Sequence, residues 1–191
     1  KLSSLNDGII ESLLLKQISD PDSRWDGGVK DIYEVPHAHA TMNFVINLSS
    51  AYASPFSKFY LSDRLRKAMT KAMRCIVEVQ HEDGTIDLHS TNFHSTPDTA
   101  FFVNYFSPVY IILKNLNQAR LGNLISYFEI FLKKTSKCLL VGGAHTANHR
   151  WVICSALARI NSFFPSTVLI DRIDVWLNEG IDLDPDGQYT E

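Results

Sequence analysis

The chain has 191 residues, 45% of them hydrophobic and 20% charged, with a formal net charge of -3. This is enough apolar material for a buried core, with one domain spanning 1–191 as the default, and it is the wrong charge balance for a general binder of nucleic-acid phosphates. No apolar run approaches the ~20 residues that cross a bilayer, and Cys75, Cys138 and Cys154, in apolar surroundings, fit small buried side chains rather than a disulfide framework or a zinc site.

Helix signals then recur in chain order. Residues 4–18 carry Ile9, Ile10, Leu13, Leu14 and Ile18 at helical spacing. A second helix, 37–52, follows Pro36, which suits a first-turn position. A third, 61–81, has Ser62 as N-cap and Leu65, Met69, Met73, Ile76 and Val77 on one face. Its basic residues Arg64, Arg66, Lys67, Lys71 and Arg74 read as a solvated face. A fourth, 97–115, opens on Thr96-Pro97-Asp98, a cap with proline in the first turn; helices 119–140, 147–163 and 166–179 follow, the last capped by Ser166. No stretch gives strand alternation of comparable strength. The expected fold is all-α, with about seven helices.

The links between helices are unequal. Those near 53–60, 116–119 and 164–166 are short or simple, whereas those near 19–36, 82–96, 141–147 and 180–191 are longer. Each long link carries a glycine turn: Asp26-Gly27-Gly28, Asp83-Gly84, Gly142-Gly143 and Asp186-Gly187. This alternation predicts antiparallel helical hairpins side by side, with the long links gathered at one end. All seven histidines lie in or beside those links: His37 and His39; His81, His89 and His94; His145 and His149. Helices starting near 37, 96 and 147 would aim partly positive N-termini at a common spot. Around them stand His37, His39, Asn92, His94, Asp98, Asn148, His149 and Arg150, with Trp25, Tyr33, Phe93 and Trp151 as flat apolar faces.

Each motif has a plainer reading. Asn148-His149-Arg150-Trp151 is either a site motif or a first helical turn with Asn148 capping and Trp151 in the core. His37-x-His39 does not aim both rings one way and lacks a further ligand, which argues against a protein-only metal site. Asp83-Gly84-Thr85-Ile86-Asp87 lacks the later acidic positions of a calcium loop and reads as a turn. Asn92-Phe93-His94-Ser95-Thr96-Pro97-Asp98 has more capping residues than one helix needs. Asp182, Asp184 and Asp186 around Pro185 read as a solvated turn.

Paired glycosidase carboxylates, a serine elbow, a Walker loop and a dinucleotide fingerprint are not evident. Asn, His, Arg and aromatic residues at helix ends suit an elimination. Removing a proton next to a carboxylate requires that carboxylate to be neutralised, and an amide and a helix N-terminus do this by hydrogen bonding. A His or Tyr then serves as base and as acid to the leaving oxygen.

In order along the chain, Asp83-Gly84-Thr85-Ile86-Asp87, Asn92 to Phe101, Asn148-His149-Arg150-Trp151 and Asp184-Pro185-Asp186-Gly187-Gln188-Tyr189-Thr190-Glu191 resemble the helical domain of heparinase II/III-like polysaccharide lyases. The resemblance covers residues 25–191. It implies part of an incomplete (α/α) toroid, followed in the family by a β-sandwich domain. It also implies cleavage of a uronate-containing, acidic polysaccharide or oligosaccharide by β-elimination, a carbon-oxygen lyase reaction that needs no cofactor. By the same resemblance Asn148 neutralises the uronate carboxylate and His149 is a neighbouring substrate or base residue. Asn92, His94, Arg150, Trp151, His145, His39 and Tyr189 are the candidate substrate-binding residues. The family's catalytic tyrosine and a further histidine would lie beyond Glu191, in a C-terminal continuation of the same protein, so this stretch alone is expected to have little activity. Neither nucleic acid nor a membrane is an expected partner. The compartment is not legible; the resemblance favours a secreted or periplasmic protein, with the cytoplasm left open. Two alternatives stand: an α/α-toroid glycoside hydrolase using Asp87 or Asp98, and a non-catalytic helical interaction or carbohydrate-binding module.

Overall fold

The structure, a computed structural model, describes residues 2–142, 146–180 and 184–188. The fold is all-α. Among the described residues seven α-helices follow in order: α1 (Leu2–Leu15), α2 (Ala38–Ala53), α3 (Asp63–Val79), α4 (Thr96–Asn115), α5 (Gly122–Val141), α6 (Ala147–Phe163) and α7 (Thr167–Asn178). No helix is long and apolar enough to cross a membrane among the described residues.

The helix starts show how local chemistry sets the boundaries. Ser62 caps α3 by accepting the Leu65 N–H. At α2 the cap is His37 rather than a first turn opened by Pro36: His37 is extended, and its Nδ1 accepts the His39 N–H at 3.1 Å. At α4 the capping bonds come from Ser95, one residue before Thr96. The Ser95 hydroxyl accepts the Asp98 N–H at 3.3 Å and donates to the Asp98 carboxylate. At α6 the cap position belongs to Thr146, and Asn148 lies inside the first turn instead of capping it.

One element departs from expectation. Residues 86–95 form a small antiparallel hairpin, β1 (Ile86–Leu88) and β2 (Asn92–Ser95), with Ile86 opposite Ser95, Leu88 opposite Asn92 and an irregular register between. Strands of three and four residues are too short to show period-2 alternation. They are held by bonds from outside the pair, such as the Ile86 N–H to Thr99 Oγ1 at 2.9 Å.

The chain divides into two compact units, residues 1–80 with 108–131, and residues 81–107 with 132–191. Helices α4 and α5 contribute to both. The division in α4 falls at Pro108, which removes a helical donor. In the first unit α1 packs on α2 and α2 on α3. Phe44, Val45, Leu48 and Tyr52 of α2 and Leu65, Met69, Met73 and Ile76 of α3 are fully buried there. The five basic residues of α3 all pair with carboxylates: Arg64 with Glu11, Arg66 and Lys67 with Asp63, and Lys71 and Arg74 with the buried Asp26.

In the second unit α6 packs on α7. Its core gathers Ile86, Phe102, Val103, Phe106, Leu139, Ile153, Leu157 and Ile160. The Asp83-Gly84 turn lies against α5 so closely that a Cβ on Gly84, whose φ is 95°, would collide with the Lys134 carbonyl oxygen. Cys75, Cys138 and Cys154 are free and buried.

Candidate functional site

The chemistry-bearing residues of the second unit gather around the β1–β2 hairpin and the starts of α4 and α6. The 81–95 segment folds back through the turn at Asp83-Gly84, closed by Gly84 N–H to His81 O at 3.0 Å. His81 and His94 stack, ring centroids 3.7 Å apart and nearly parallel at 24°. Each meets a carboxylate: His81 Nε2 lies 2.8 Å from Asp87 Oδ1, and His94 Nδ1 lies 2.9 Å from Asp83 Oδ2. The His94 N–H also donates to Asp87 at 2.8 Å. His94 adopts φ 51°, a left-handed conformation that a side chain normally avoids, and these bonds hold it there.

Both aspartates stay ionised to low pH. Burial is the largest single influence on Asp83 and pushes it up. The Thr85 hydroxyl and N–H, followed by His94, outweigh it and hold the carboxyl at about 2. Asp87 is likewise lowered, the His94 N–H and His81 prevailing over burial.

Two depressions adjoin the start of α6. The smaller, about 300 Å³, is lined by Asn92, Phe93, His94, Ser95, Thr96, Pro97 and His149. The larger, about 680 Å³, lies between one face of α4, with Phe101, Asn104 and Tyr105, and one face of α6, with Asn148, Trp151, Ser155 and Arg159. Its aromatic walls are open to solvent: Trp151 is 47% exposed and Tyr105 56%. Between them runs a polar network. Asn104 Oδ1 accepts from Ser155 Oγ at 2.8 Å and from Arg159 Nε at 2.9 Å, while Asn104 Nδ2 donates to the Val152 carbonyl at 3.1 Å. The Thr146 hydroxyl donates to Asn148 Oδ1.

The residues named from the sequence are only partly brought together. Asn92, His94 and His149 share the smaller depression, and Asn148 and Trp151 share the larger. Trp151 lies at a surface and not in the core. The Nδ1 of His149 is enclosed and meets no partner among the described residues. Arg150 points its guanidinium at Glu179, Nη1 to Oε2 2.8 Å, and lines neither depression. His39 belongs to the other unit, near the second residue of α2, where its ring lies 5.4 Å from that of His37. His145 and Tyr189 fall outside the described residues. Asp87 and Asp98 are bound into the hairpin and the α4 cap and line neither depression.

Phe101, Asn104, Tyr105, Ser155 and Arg159 were not singled out from the sequence, although a signal was present. Positions 148, 151, 155 and 159 recur at helical spacing as Asn, Trp, Ser and Arg, a polar and aromatic stripe opposite the apolar one of Ile153, Leu157 and Ile160. Among the described residues, no group of three or more His, Cys, Asp or Glu could hold a metal ion. The chain matches no family model, no curated protein and no solved structure.

Proposed function

We propose that this chain is the helical portion of a polysaccharide lyase that cleaves uronate-containing chains by β-elimination, as its resemblance to heparinase II/III-like enzymes implies, and that its helical hairpins are part of an incomplete (α/α) toroid. The observation that carries the reading is Asn148 in the groove between α4 and α6, beside exposed Trp151 and Tyr105. Sugar rings offer flat C–H faces that pack on aromatic rings, and a wall of aromatic residues with a few amides and one cation matches such a ligand.

In the elimination, the proton next to the uronate carboxylate leaves as a base takes it, the C–O bond to the adjoining sugar breaks, and a conjugated double bond forms. Negative charge builds on the carboxylate in the transition state. The Asn148 amide is a hydrogen-bond donor to that charge, and its position in the first turn of α6 adds the partial positive charge of a helix N-terminus. The Thr146 hydroxyl fixes the amide by bonding its carbonyl oxygen. His149, next along the turn, faces the smaller depression with His94 and Asn92, where a neighbouring sugar unit would lie. Proton transfer is assigned to His149.

The test is ultraviolet absorbance of the new double bond when the protein meets uronate polymers. Asn148→Ala should lower the elimination rate by about a hundredfold or more, the scale of losing a donor to developing charge. Unchanged elimination in that variant would remove Asn148 from the mechanism. Release of reducing ends without the double bond would instead favour hydrolysis.

A further inference from the structure

Arg159 stands about 16 Å along α6 from Asn148, eleven residues at 1.5 Å each, yet on the same groove. It is held differently from Arg150 and from Arg172, whose guanidinium lies 4.5 Å over the Trp176 ring. Arg150 is neutralised by Glu179. Arg159 meets no carboxylate among the described residues; instead its Nε donates to a neutral amide, Asn104 Oδ1, at 2.9 Å. Asn104 is itself fixed at both ends, its carbonyl oxygen also taking the Ser155 hydroxyl at 2.8 Å and its Nδ2 bonded to the Val152 carbonyl at 3.1 Å. The guanidinium is therefore anchored on one edge without losing its charge. Four of its five N–H donors lie on the terminal nitrogens, the fork that engages a planar anion. An arginine left without a counter-charge in a half-buried groove, with its orientation set by a three-residue network, is arranged for an anion that arrives with a ligand.

We infer that Arg159, positioned by Asn104 and Ser155, is a second acid-recognition point of the groove and selects oligosaccharides that carry a carboxylate at least one sugar unit away from the one that Asn148 faces. The inference rests on the reading of the groove as a sugar site. A single sugar acid does not reach from Asn148 to Arg159, so the groove prefers chains with repeated acidic units to isolated ones. Trp151 and Tyr105, exposed on the same groove, offer the faces on which the intervening ring packs.

Calorimetric titration of the protein with a uronate oligosaccharide and with the same oligosaccharide after reduction of its carboxyls to alcohols tests this. The wild-type protein should bind the acidic form at least about tenfold tighter, a difference of about 1.4 kcal/mol. Arg159→Ala should remove most of that preference, weakening the acidic form far more than the reduced one. Arg159→Lys, which keeps the charge but loses the fork, should retain only part of it, and both variants are checked for an unchanged thermal midpoint. If Arg159→Ala keeps the full preference, the role of Arg159 is overturned while the sugar reading stands; if the wild-type protein binds the two forms equally, Arg159 and Asn148 both lose their part in acid recognition. If neither form binds the wild-type protein, the sugar reading itself fails.

Discussion

Asn148 and Arg159 show how little a residue's type says about its role until its partners are known. Arg150 is part of the Asn148-His149-Arg150-Trp151 motif and looks like the anion binder, but Glu179 neutralises it; Arg159, in an unremarked part of the sequence, lines the groove and meets no carboxylate among the described residues. Partner choice across forty or more positions, as between Asn104 and Arg159, has no trace in local sequence. The aspartates of the hairpin make the same point with a measurable consequence. Asp83 sits at about 2, below the ordinary 3.8. A carboxyl lowered in the folded state adds stability above its unfolded value, and that contribution disappears as the pH falls from about 4 to about 2. Asp83→Asn should therefore lower stability near neutrality and flatten the acid limb of the stability curve in that window. Urea midpoints measured across pH would show it, and an unaltered acid limb would contradict it.

At the scale of elements, the helices were legible from apolar residues at helical spacing, with start signals such as Ser62 and Thr96-Pro97-Asp98 at several of them. Helix α6 was expected over 147–163 and is found there. The caps shifted by one residue where two candidates stood side by side, as at Ser95 and Thr96, since the sequence does not say which hydroxyl reaches the third N–H of the helix. The hairpin was not legible, its strands being defined by Thr99 and the two aspartates instead of by alternation. Its turn offers a test. Gly84→Ala puts a Cβ into the Lys134 backbone and strains a φ of 95°, and should cost about 1–3 kcal/mol. Gly142→Ala, with nothing within 4 Å of the new Cβ, should stay within about 0.5 kcal/mol of the parent. Urea unfolding of the two variants measures both; equal losses would mean that the close approach at Gly84 is not what positions the hairpin.

For the whole molecule, the all-α class followed from composition and periodicity, while the gathering of the long links did not reduce to one site that the sequence could name. Within the second unit the 82–96 link and the first turn of α6 share a depression, at His94 and His149. The groove beside them is built from the sides of α4 and α6, not their connections. The buried thiols give a global probe. Burial, the largest influence in each case, raises Cys75 and Cys138 to about 12 and raises Cys154 as well. A thiol-specific reagent at about pH 8 should leave all three unlabelled in the native protein and label them as it unfolds. Rapid labelling of a native thiol, followed by mass spectrometry, would show a core more open than described.

The central claim, that Asn148 meets a uronate carboxylate, is tested most directly at its side-chain amide. Nitrogen-15 NMR of the Asn148 amide group, identified by its absence in Asn148→Ala, would be followed during titration with a uronate oligosaccharide and with its carboxyl-reduced form. The account predicts a shift of the Asn148 amide protons with the acidic ligand and little or none with the reduced one. Identical shifts with both ligands, or none with either while other residues of the groove respond, would contradict it.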